Sequence, residues 1–200
     1  MRRITASVLA LVFVLSFQAS AWEVDQTHSS VQFVVSHFTV SKVRGEFTDF
    51  DGNLTFDGTN LKDGSVSINV KATSVSTGNT NRDDHLRSDD FFNVEKFPEI
   101  KFKSKQVIPG EGNKFKLVGD LTIRDVSKEV TFDCEFNGIV SAQGGKKSGF
   151  SAETTINRQD FKVAFAKTLE GGGLIVGNDV KLSLELEFNE KGPEPPAEGK

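Results

Sequence analysis

Beyond the amino-terminal stretch, apolar and polar positions alternate with a period of two, the mark of β-strands with one buried face. Val31, Phe33 and Val35 form one such run, and Val66, Ile68, Val70 and Ala72 form the next clear one. Ile100 and Phe102 follow, then Phe115, Leu117, Gly119, Leu121 and Ile123, then alternate positions from Val130 to Phe136. Phe150, Ala152, Thr154 and Ile156, and lastly Val180, Leu182, Leu184, Leu186 and Phe188, complete the series. Turn signals separate the runs: Asp51-Gly52, Asp57-Gly58, Asp63-Gly64, Pro109-Gly110, Asn137-Gly138 and Gly144-Gly145. Many short antiparallel strands at this spacing predict a sandwich or a closed barrel.

One internal stretch, NRDDHLRSDDFF from Asn81 to Phe92, breaks the alternation. Thr80 or Asn81 can cap a short helix there, with Asp83 or Asp84 in the favourable first turn and Arg87 placed to pair with Asp83. Leu86, Phe91 and Phe92 then press that segment onto a larger apolar surface, such as the end of a barrel. Its charges need no chemistry to explain them.

The amino terminus carries an address. Arg2 and Arg3 precede an apolar run from Val8 to Phe17, and Ala19-Ser20-Ala21 supplies the small residues of a cleavage site. The run is short for a bilayer span, so residues 1–21 are expected to be a signal peptide and Trp22 the mature start. A periplasmic protein is expected. Residues 189–200, NEKGPEPPAEGK, read as a disordered tail rich in Pro, Gly and charge, which leaves residues 22–188 as one domain. The formal charge of −4 becomes −6 without Arg2 and Arg3, the opposite of a nucleic-acid footprint. Cys134 is the single cysteine and shares its parity with Val130, Phe132 and Phe136, as a buried inert thiol would.

Composition bears on what fills the interior. The chain has eighteen Phe, one Trp and no Tyr, so its aromatic area comes almost without hydrogen-bonding handles. Such an interior suits a hydrocarbon ligand or a solid core. Counting by twos brings His37 inward after Val35, and Arg158 inward after Ile156. A buried arginine needs a partner. Either these two face the polar head of a ligand, or the strands have ended or bulged by then, or Arg158 pairs with Asp160 or another internal acid.

Catalytic signatures fail one by one. Asp84 and His85 are adjacent and diverge on a helix, while His28, His37 and His85 have no spacing that demands a zinc site. DFDGN at 49–53 starts like a calcium loop but has Asn60 where a bidentate Glu is required. No serine sits in a G-x-S-x-G elbow. Gly171 to Gly173 lack a following Lys-Ser or Lys-Thr and suit a loop at a barrel mouth. Neither a metal nor a cofactor is expected, and no enzyme.

Several long motifs in order resemble the YceI-like family across the expected domain. They are WEVDQTHSSVQFVVSHF, VRGEFTDFDGNL, VSTGNTNRDDHLRSDDFFNVEKFPEIKFKS, VGDLTIRDVSKEV, INRQDF and VGNDVKLSLELE. Asp125 and Lys162 stand where that family usually has Gly. The resemblance implies a lipocalin-like antiparallel β-barrel of about eight strands, with a short capping helix near residues 81–92. Its apolar tunnel would hold an extended isoprenoid or fatty chain without performing chemistry on it. The expected tunnel wall is Phe33, Val35, Phe47, Val66, Ile68, Val70, Phe91, Phe92, Phe102, Leu117, Leu121, Phe132, Phe150 and Ile156. His37, Arg158, Arg82 and His85 are the expected head-group contacts. On this reading the chain is a periplasmic carrier or store of a polyisoprenoid, as monomer or homodimer, tied to envelope stress or a membrane redox partner. Two other readings stand beside it: a metalloenzyme built on His28, His37 and His85, and an envelope interaction protein with a filled core.

Overall fold

The computed structural model describes residues 20–168 and 173–191. Most of the expected signal peptide, part of the glycine run and most of the tail fall outside the described residues. The strands are β1 (Ser20–Val24), β2 (Ser30–His37), β3 (Ser41–Phe47), β4 (Phe50–Phe56), β5 (Ser65–Lys71) and β6 (Val75–Ser76), then β7 (Glu99–Pro109), β8 (Lys114–Ile123), β9 (Val126–Ala142), β10 (Gly145–Asn157) and β11 (Val176–Glu190). One α-helix, α1 (Thr80–Arg87), lies between β6 and β7.

All the ladders are antiparallel, and β1 closes the sheet by pairing with both β4 and β11. The closed ring runs β1-β4-β5-β7-β8-β9-β10-β11, an eight-stranded barrel of the expected kind, while β2, β3 and β6 extend from β11. β1 begins at Ser20, two residues before the expected cleavage point, and β11 continues to Glu190, past the expected domain end at Phe188.

The alternation read from sequence is the alternation of burial. In β4, for example, Phe50, Gly52, Leu54 and Phe56 face in and the residues between them face out. Asp51-Gly52 is therefore not a turn. Gly52 lies opposite Ile68, where a Cβ would collide with the Ile68 Cδ1, so glycine there allows two strands to close. Asn137-Gly138 is also no turn: β9 runs through it, and the register slips by one residue between Gly149 and Phe150. Asn137 is the extra residue of a β-bulge that lets a long strand bend around the barrel.

At the end formed by β1, the β7–β8 and β9–β10 hairpins and the β4–β5 loop, the interior is solid. Phe56, Phe115, Phe136, Phe150 and Phe188 pack mostly edge to face, and Trp22 donates its indole N–H to the Phe56 carbonyl at 3.1 Å. Trp22, Phe56 and Phe188 are each 1% exposed. These rings form an aromatic plug.

Candidate functional site

Between that plug and α1 the barrel encloses a cavity of about 180 Å³, lined almost wholly by apolar side chains from β2, β5, β7, β8 and β11 and from the segment after α1. Phe33, Val35, Phe47, Val66, Ile68, Val70, Phe91, Phe92, Phe102, Leu117, Leu121, Phe132 and Ile156 all line it. Phe150 does not. Its ring is drawn into the plug, 5.0 Å from the Phe136 centroid and 5.8 Å from that of Phe188. Period-two counting identifies the inward face of a strand but not how far along the barrel the interior is filled. Leu86, Val163 and Val176 complete the wall at the α1 end. Val163 follows Phe161 by two and Val176 shares the parity of Val180, so alternation offered a signal for both, but neither belongs to the runs from which the wall was read.

Arg158 is the charged group buried at this end of the cavity wall, 4% exposed. β10 has ended at Asn157, and Arg158 opens a 3-10 turn to Phe161, with Asn157 as its cap. Among the described residues no carboxylate meets the guanidinium: Asp160 pairs instead with Lys128 at 3.2 Å. Arg158 donates from Nε to the Gly177 carbonyl (2.8 Å), from Nη1 to Val163 (2.6 Å), and from Nη2 to Val176 (3.0 Å) and the Asn178 Oδ1 (3.3 Å). Burial lowers its pKa from the ordinary arginine value. Carbonyl dipoles thus compensate the charge, and of five guanidinium N–H groups one on Nη1 stays uncommitted among the described residues.

The other expected head-group residues lie off the cavity wall. His37 ends β2 opposite Val176, where the β2–β11 register shifts, and its ring packs on Phe38 at 4.1 Å. Arg82 donates to the Thr77 hydroxyl and carbonyl (2.7 and 2.9 Å), fastening α1 to the loop before it. His85 bonds through Nε2 to Asp90 (2.8 Å) and packs edge-on against Phe91 and Phe165.

The charges of α1 have structural partners that differ from those expected. Asn79, not Thr80 or Asn81, is the cap and accepts from the Arg82 amide. Arg87 pairs with Asp84 rather than Asp83, at 2.9 Å, and donates to the Thr73 and Val75 carbonyls. Asp83 is buried and accepts from the amide and hydroxyl of Thr77. The helix is held by polar bonds on one side, while Leu86, Phe91 and Phe92 close the cavity on the other.

A second fastening joins the segment after α1 to the β8–β9 turn. Arg124, at φ 57° in that turn, donates from Nη1 to the Phe91 and Lys162 carbonyls at 3.0 and 2.7 Å, and lies over the Phe97 ring. Lys162 also takes a left-handed conformation, φ 58°, and pairs with Asp125 at 2.7 Å. The two positions where the chain departs from the glycines usual in its resemblance therefore meet in one ion pair.

The three histidines do not converge. His28 stands with Asp25 and Glu187, the group among the described residues whose ligand atoms lie within 4.8 Å of one another. The Lys147 ammonium already sits there, 2.6 Å from Glu187 and 3.2 Å from Asp25, where a cation would have to bind. Cys134 is buried, with its pKa pushed up to about 12 by burial and then by the Asp133 charge, so its thiol is not a nucleophile at neutral pH.

Residues 22–188 match the YceI-like domain family. A UPF0312 protein of Staphylococcus epidermidis is 38% identical over 167 residues, covering 82% of this chain and 95% of its own. The crystal structure of BcnA from Burkholderia cenocepacia superposes with a TM-score of 0.71 at 26% identity, over 82% of this chain and 98% of that one. A polyisoprenoid-binding domain from Saccharophagus degradans, implicated in plant cell wall breakdown, shares the fold at 14% identity, with a TM-score of 0.65 over 87% and 100% of the chains.

Proposed function

Given that the chain belongs to the YceI-like family over residues 22–188, we propose that it is a periplasmic binding protein for a polyisoprenoid or similar long-chain amphiphile. The observation that carries this reading is the apolar cavity enclosed within the barrel, with Arg158 buried in its wall at the α1 end. A protein gains nothing in stability from a void lined by Phe, Leu, Ile and Val, because those side chains forgo contacts on one side. A hydrocarbon chain restores them. Each methylene removed from water contributes about 0.8 kcal/mol, so a few isoprene units give ample affinity without a polar contact.

The uncommitted Nη1 hydrogen of Arg158 is the donor we assign to the ligand's head, which must then offer an oxygen acceptor. The polyisoprenoid-binding neighbour has the same fold and is consistent with a chain-shaped ligand. The Arg2-Arg3 pair, the apolar run and Ala19-Ser20-Ala21 support the exported location in this reading. The test is native mass spectrometry of protein purified gently from a bacterial periplasm, followed by solvent extraction. A discrete added mass that extracts as an isoprenoid or fatty chain is expected, and Ala152→Phe, which fills the cavity from its wall, should lose it while retaining the barrel's circular dichroism. An apoprotein mass that persists after incubation with isoprenoid lipids overturns the reading.

A further inference from the structure

The β2–β3 hairpin and the segment beside it form a lip next to the Arg158 end of the cavity. The Phe38 amide donates to the Ile175 carbonyl at 2.9 Å, and the Ile175 amide to the Lys167 carbonyl at 3.1 Å, so the hairpin tip and both arms of the β10–β11 connection lie side by side. Val176, paired with His37, lines the cavity itself. At the tip Val40 is 85% exposed, the most exposed large apolar side chain among the described residues.

Two further features mark this lip. Among its described residues its charge is of one sign: no Asp or Glu occurs between Asp25 and Glu46, from Phe161 to Thr168, or from Gly173 to Asn178, and Glu170 of the same connection falls outside the described residues. Lys42 and Arg44 are exposed and pair with no acid among the described residues, in a chain that is acidic overall. The turn is also strained, because Phe38 and Thr39 both have positive φ (51° and 59°), a conformation that bulky and β-branched residues rarely adopt. Asn-Gly would fit that turn without strain. The chain instead keeps a ring at the tip and presents Val40 to solvent beside two cations.

We propose that this lip docks the protein on an anionic lipid surface, with Phe38 and Val40 entering the headgroup layer and Lys42 and Arg44 lying against the phosphates. Shallow apolar insertion flanked by cations is what binds peripheral proteins to such surfaces. The acids of the neighbouring lip, Asp84, Asp89 and Asp90, would be repelled, which tilts the barrel so that the β2–β3 side meets the membrane first. The inference rests on the carrier reading for its purpose, since a lipid must cross between cavity and bilayer, but its test does not.

Co-sedimentation of the full chain with vesicles of phosphatidylcholine, with and without a minority of phosphatidylglycerol, tests it. Binding is expected to the anionic vesicles alone and to weaken as salt is raised. Lys42→Glu with Arg44→Glu should reduce it by at least about tenfold. Val40→Asp, a single exposed change that leaves the strands intact, should also reduce it. Lys62→Glu with Lys114→Glu, in the β4–β5 connection and at the start of β8 at the plugged end, should leave it unchanged. Failure to bind anionic vesicles at low salt, or equal loss in the Lys62/Lys114 variant, overturns the proposal and would point the lip toward an acidic protein partner. Mass spectrometry of the same preparations separates the two readings: a lipid-loaded protein that ignores vesicles sinks only the docking lip, and an empty one that binds them sinks only the carrier.

Discussion

At the scale of single residues, Arg158 shows how a buried charge is compensated by dipoles, with no counter-ion among the described residues. Four acceptors, three of them main-chain carbonyls, converge on the guanidinium from residues 163 and 176–178, so the side chain also pins the β10–β11 connection to the barrel. Arg158→Met would leave those acceptors buried and unpaired, and should cost at least about 3 kcal/mol in urea unfolding. A Met variant as stable as the parent would mean that water or the backbone takes over the bonds. Parity along β10 was enough to place Arg158 inward, but parity says nothing about partners. Its neighbour Asp160, the nearest acid in sequence, points elsewhere, because a 3-10 turn of four residues has already rotated the chain. His37 met a different fate: the same counting put it on the face of its partner Val176, but β2 ends there and the ring packs on Phe38, off the cavity wall.

At the scale of elements, α1 was legible as a helix and its cap was not. Asn79, Thr80 and Asn81 are all good capping residues, and the one whose side chain reaches the Arg82 amide is fixed by how the chain leaves β6. Asp83 was misread for a related reason. An i,i+4 partner on a helix competes with any donor that tertiary structure brings closer, and Thr77 offers two. The β2–β3 hairpin carries a testable cost of its own. Thr39 at φ 59° is a β-branched residue in left-handed space, so Thr39→Asn should raise stability by about 1 kcal/mol, seen as an increase in Tm of about 2–4 °C. No increase would mean the turn is not strained in solution, and would remove one of the features that single out the lip.

At the scale of the molecule, closure depends on β1, a five-residue strand holding β4 on one side and β11 on the other. Just past it, Asp25 accepts from His28 (2.9 Å), Lys147 (3.2 Å) and Asn189 (3.4 Å), tying the β1–β2 bend to β10 and β11. The His28 bond first, then those from Lys147 and Asn189, hold the Asp25 carboxyl well below the usual carboxylate range. A carboxyl whose pKa is depressed by folding contributes stability that is fully present above its unfolded pKa and is lost as pH falls toward the folded one. Thermal unfolding followed from neutral pH downward should therefore show the parent losing stability below about pH 4, with Asp25→Asn less stable at neutral pH and flatter in acid. Parallel curves for the two proteins would place the acid sensitivity elsewhere.

The sequence by itself determined the strands, their inward faces, the antiparallel class and most of the cavity wall, because a period of two is a local property that one buried face imposes on the chain. Tertiary structure alone decided that the Phe-rich interior is solid at one end and hollow at the other. Phe occurs on both sides of that boundary, but the plug is wholly aromatic while Val, Leu and Ile make up most of the cavity wall. Which rings meet is set by bulges and register between strands far apart in the chain.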